Sequence, residues 1–286
     1  MSREGTRRAA DSLDPDKIEE LWARFGEDVD RMMDRINDPT DFAVARGSSL
    51  AGDDRASHPY HVSHAVQMCI VAGVDHLHAM KSLLLDLQVL HSAAPFTLVR
   101  GALEIFSSGF WILHPSGRDM RIEHVLRWHA KNFHDQHPAL ESLGVSDAEV
   151  KDAKYAKLRE IASRRGIPAA HATRGYRSTE AVECAEKFAP TADPLLPWRM
   201  CSAYAHGRPW VYLGMADEDM FQTTDEPGVL QARLTSDPEK LLYPSLHAQW
   251  LMKDLVDLVE SRATNPFEQS QLAVADRATL SRLSCP

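Results

Sequence analysis

The stretch FTLVRGALEIFSSGFWIL, residues 96–113, is the most apolar run in the chain, and Arg100 and Glu104 interrupt it. Wound as a helix, it is apolar almost all round, which suits a buried core helix or a membrane span. The two charges lie four apart on one face and argue against a span. Burying either alone would cost on the order of several kcal/mol, so each is expected to pair with the other or with polar groups on a facing helix. Such a pair sets the register of a bundle or lines a pocket.

Working outward, HPSG at 114–117 stops this helix, and Arg118 to about His137 forms the next, carrying Ile122, Val125, Leu126, Trp128 and Phe133 and closed by Pro138. Upstream, Tyr60 to about His91 reads as one long helix bent near Gly73. Asp14-Pro15 opens an amphipathic helix near 15–37, stopped by NDPTD, and 45–59 reads as a linker of small and polar residues. Ser146 and Glu149 make a capping box for a charged helix, 165–178 is a loop, and a short helix runs from Ser178 to about Phe188. Asp193-Pro194 caps the helix containing RMCSAYAHG, which Gly207 and Pro209 stop. Residues 210–237 lose the helical period and read as a short hairpin or irregular chain, and Leu241 to about Ala263 is the last clear helix. The tail QSQLAVADRATLSRLSCP adds at most a weak turn.

The expected architecture is an all-α bundle of six or seven helices, with at most one short hairpin near 210–235. It divides into a disordered basic lead (1–14), an N-terminal helix and linker (15–52), a helical core (53–266) and a C-terminal tail (267–286). A net charge of −9 disfavours nucleic-acid binding by bulk electrostatics but leaves room for a local basic site. Cys69, Cys184, Cys201 and Cys285 lack Cys-x-x-Cys spacing and read as free thiols in a reducing, cytoplasmic setting, with neither secretion nor a membrane expected. No Gly-x-Gly-x-x-Gly, Walker-type, Gly-x-Ser-x-Gly or His-Glu-x-x-His pattern is present, which removes the common nucleotide and hydrolase chemistries.

Two patterns carry chemistry. Asp75 and His78, three apart on a helix, could donate two metal ligands, with His58, His61 and His64 upstream. A metal-dependent helical hydrolase follows from that reading, although no second carboxylate-rich pair accompanies them. In RMCSAYAHGRPW at 199–210, Arg199, Ser202 and His206 recur at i, i+3 and i+7 of one helix. Arg199 is a permanent cation suited to a phosphate, His206 can move a proton, and Ser202 can orient the group between them, which is enough for phosphodiester chemistry without metal. The same spacing also describes a polar seam inside the bundle, with Arg199 paired to a carboxylate such as Glu104.

The order Asp75-His76-Leu77-His78, Leu98-Val99-Arg100-Gly101-Ala102-Leu103-Glu104, Trp111, Arg121, Arg127 and Tyr204-Ala205-His206-Gly207 resembles uncharacterised bacterial helical proteins related to the HEPN-like superfamily, over roughly 60–265. HEPN domains are helical bundles, often dimeric, and many use an arginine followed after four to six residues by a histidine as a metal-independent endoribonuclease motif in toxin, stress or defence systems. Arg199 and His206 meet that pattern at its upper limit. The resemblance implies that Arg199 stabilises the scissile phosphate of an RNA substrate, that His206 is the acid or base, and that a homodimer completes the site without a cofactor. Met200 is apolar where active members usually carry a polar residue. Other HEPN-like groups are non-catalytic binding or dimerisation modules, the alternative the resemblance leaves open.

Overall fold

Asp14 starts the first element by accepting the Asp16 backbone N–H at 3.2 Å, and Pro15 occupies the first turn of α1, Pro15–Asn37. The computed structural model describes residues 14–145, 148–215, 221–232 and 237–265. The basic lead before Asp14, the Ser146 capping box, Cys285 and the tail at 267–286 lie outside the described residues.

Residues 45–59, expected as a linker, contain α2, Ser49–Ser57, capped by Ser48 Oγ on the Ala51 N–H at 3.1 Å. Its apolar content is too sparse to show a period, and a buried Leu50 and Asp53 hold it to the bundle. The long helix near 60–91 is α3, Val62–Lys81, continued by a π-helical turn at Ser82–Asp86. It runs through Gly73 as helix, and the glycine answers a different need: a Cβ there would sit 2.3 Å from the Phe106 ring. Phe106 belongs to α4, Ala94–Leu113, which contains the most apolar run of the chain.

α5, Arg118–Ser142, continues past Pro138, where the sequence ends it. Pro138 lies exposed in the last turns, so water can satisfy the carbonyl that the proline deprives of a donor. α6 (Ala148–Arg164) follows, and the expected loop at 165–178 holds a single helical turn, α7 (Ala169–Thr173). Next come α8 (Ser178–Phe188) and α9 (Leu195–Ala205). Asp193 does not cap α9; the Leu195 N–H donates to Glu186 Oε2 at 2.9 Å instead. α10, Pro209–Met215, is helix where the sequence, lacking a helical period, reads as hairpin or irregular chain, and the hairpin follows as β1 (Phe221–Thr223) antiparallel to β2 (Leu230–Ala232), with Gln222 opposite Gln231. α11, Pro238–Ala263, closes the bundle, its N-terminus capped by Asp237.

The molecule is thus an all-helical bundle with one small hairpin, and it has eleven α-helices among the described residues rather than six or seven. The excess arises where short helices (α2, α7, α10) are held by tertiary contacts and not by an apolar period of their own. α4 is the central element, packed against α3, α5, α8, α9 and α11. One apolar cluster joins residues of α1 through α4 with α8 through α11, and a second joins α5, α6 and α7 around Ile122, Leu126, Leu158 and Ile161. By length and composition Val62–Asp86 and Ala94–Leu113 could each cross a membrane, but 67% of the α4 window is buried inside the bundle, as a core helix requires.

Candidate functional site

Glu104 stands at the centre of a polar seam on α4. Its Oε2 lies 3.2 Å from Arg100 Nη2 and accepts Trp198 Nε1 at 3.3 Å, while its Oε1 accepts the Ser178 hydroxyl at 2.5 Å. Arg100 in turn donates through Nε to Ser202 Oγ at 3.0 Å. The seam therefore binds α4 to the start of α8 and to the inner face of α9, where Trp198 and Ser202 stand one turn apart. Charged partners at the centre of an otherwise apolar helix are tolerated because each is bonded.

The structure divides the Arg199–Ser202–His206 stripe. Ser202 is half-buried and engaged by Arg100, whereas Arg199 and His206 are exposed and take no side-chain partner among the described residues. The alternative in which Arg199 pairs with Glu104 is not what forms, because Arg100 on the same helix as Glu104 is nearer to hand. Of the five candidate residues Arg100, Glu104, Arg199, Ser202 and His206, the structure joins Arg100, Glu104 and Ser202, and leaves Arg199 and His206 exposed to solvent.

His206 is placed by the end of α9. It is the residue after the last helical turn, and the chain then reverses through Gly207 at φ +59°. The Arg208 N–H bonds Ala203 O at 2.8 Å and the Gly207 N–H bonds Tyr204 O at 3.1 Å, the paired bonds of a glycine-terminated helix. Tyr204 is stacked on Phe96 at 3.8 Å between ring centroids, which pins this helix end to the start of α4. Neighbouring Cys201 is fully buried, and burial pushes its thiol above the ordinary range, so it is packing material and not a nucleophile.

For the metal alternative, Asp75 is exposed and His78 half-buried on α3. His58 Nδ1 and His61 Nε2 approach to 3.2 Å, yet among the described residues no three His, Cys, Asp or Glu side chains converge as a metal site would need. Comparison of the chain with protein-family models, with curated proteins and with solved structures finds no match.

A second polar group escaped the sequence reading. Arg127, named there only through the resemblance, is buried, bonds both oxygens of Glu180 at 2.7 and 2.8 Å and gives Nε to Gly175 O at 2.8 Å. Its guanidinium lies 4.8 Å over Trp111, which also stacks with His124 and with Tyr176. Tyr176 Oη and Ser108 Oγ, 3.1 Å apart, join this group to α4. The signal available in the sequence was the dense RGYRS at 174–178, which reads as loop because it has no apolar period.

Proposed function

We propose that the protein is a HEPN-like, metal-independent endoribonuclease in which Arg199 and His206 act on an RNA phosphodiester. The observation that carries the reading is their availability: two side chains suited to a phosphate and a proton, Arg199 midway along α9 and His206 at its C-cap, both exposed and both without a side-chain partner among the described residues. In this reading the Arg199 guanidinium binds the non-bridging oxygens and stabilises charge as the 2′-hydroxyl attacks phosphorus. His206 removes the hydroxyl proton or returns one to the departing 5′-oxygen, leaving a 2′,3′-cyclic phosphate and a 5′-hydroxyl. Removal and return are two tasks for two groups, so a homodimer presenting two copies of His206 to one substrate fits the chemistry better than a single chain. Arg100, Glu104 and Ser202 support the site by fixing α9 against α4.

The test is incubation of the protein, in chelator, with structured and single-stranded RNA, beside Arg199→Ala and His206→Ala. Both variants are expected to keep the wild-type melting temperature, because neither side chain is buried or paired, and to lose cleavage by at least about a hundredfold. Cleavage that survives in either folded variant overturns the assignment.

The second reading is a non-catalytic ligand-binding or dimerisation module. It draws on the buried Met200 after Arg199 and on Ser202 serving Arg100. It expects the wild type to leave RNA intact and the two variants to alter association alone.

A further inference from the structure

Beside the polar seam, a cavity of about 420 Å³ is lined by Arg127, Arg174, Gly175, Tyr176, Arg177 and Glu180. We propose that it is a binding site for a phosphate monoester, separate from Arg199 and His206. The buried arginine is prepared for this in advance: Glu180 and Gly175 hold its Nε and Nη2, leaving Nη1 without a partner among the described residues. The Arg177 side chain has no partner among the described residues and is exposed. Arg174 is also exposed, and its only carboxylate neighbour there is Glu123 at 3.8 Å, too long for a hydrogen bond.

The balance of charge selects an anion. Glu180 is neutralised by Arg127 and Glu123 offsets Arg174, so Arg177 remains as surplus positive charge at the mouth. α8 adds to it, because the helix begins at Ser178 with no side-chain cap on its N-terminus, and the Ser178 hydroxyl is turned away to Glu104. The positive end of a helix and arginine forks together match the oxygens of a phosphate. The volume falls within the range of small-molecule pockets, roughly 300–1,000 Å³, so the group is expected to arrive on a larger ligand. Tyr176, backed by Trp111 with ring centroids 5.0 Å apart, supplies a flat wall for that remainder.

The ligand is either a small phosphorylated metabolite or the 5′-phosphate of an RNA. Calorimetric titration of the full chain with inorganic phosphate and with adenosine 5′-monophosphate tests the site, using an Arg174→Ala/Arg177→Ala double variant whose exposed positions leave folding intact. We expect saturable one-to-one binding of the monophosphate, weakened at least about tenfold in the double variant and unchanged in Arg199→Ala. Competition by a 5′-phosphorylated oligoribonucleotide, and not by its 5′-hydroxyl counterpart, assigns the site to RNA ends; competition by neither assigns it to a free metabolite. Absence of saturable binding by both phosphate probes, or equal binding by wild type and double variant, overturns the proposal.

Discussion

Asp53 and Arg121 are both fully buried, and they are bonded to each other. Arg121 reaches Asp53 through Nε at 2.6 Å and Nη2 at 2.9 Å, the Pro115 and Ser116 carbonyls through Nη1, and Ser49 Oγ through Nη2. Asp53→Ala would leave a buried guanidinium without its counter-charge and is expected to destabilise the fold by about 3–5 kcal/mol in chemical denaturation, whereas exposed Asp75→Ala should change it by less than about 0.5 kcal/mol. In the sequence only the family resemblance singles out Arg121, and nothing singles out Asp53. An aspartate in a stretch of small and polar residues looks like surface until the helix opposite is known. Arg100 and Glu104 were legible for the opposite reason, since charges inside an apolar run stand out against it.

Helix pairing shows the same limit one level up. α3 and α4 come together through glycines on both sides: Gly73 admits the Phe106 ring, and Gly101 admits His76, whose ring carbon would lie 2.4 Å from a Cβ there. Gly73→Ala and Gly101→Ala are each expected to cost about 1–3 kcal/mol, measured as a lowered denaturation midpoint, because the neighbour is a packed ring and not a flexible tip. Gly117, which has open space around its missing Cβ, serves as the control and should tolerate alanine far better. The helical periods that located α1, α3, α4, α5, α8, α9 and α11 are local properties, carried by side chains three and four residues apart. Why Gly73 is a glycine is not local; the sequence suggested a bend, and the partner helix supplies the reason. The short helices α2, α7 and α10 were missed on the same grounds, being stable only where the rest of the bundle receives them.

Across the whole molecule the interior is stabilised in its neutral histidine state. Burial holds His61, His114, His124 and His247 below the ordinary range, and His129, packed among Tyr60, Trp128 and Phe133, is pushed down to about 4. With folded values below the unfolded value of about 6.5, the unfolded chain takes up more protons, so stability is full above that pH and is lost as pH falls toward 4. The melting temperature at constant ionic strength should therefore fall between pH 7 and pH 5, before most carboxylates titrate, and His129→Gln should flatten that dependence. A melting temperature that is level over this range contradicts the account. The sequence by itself determined the fold class, the course of the long helices, the free-thiol character of the three described cysteines and the presence of a charged pair in the central helix, because each is written in spacing and composition. Tertiary structure alone decided which charges are satisfied: it gave Ser202 to Arg100, left Arg199 and His206 open, buried Asp53 against Arg121 and gathered Arg127, Arg174 and Arg177 around one cavity. Those outcomes depend on which helix faces which, and facing is a property of distances across the chain that no local pattern records.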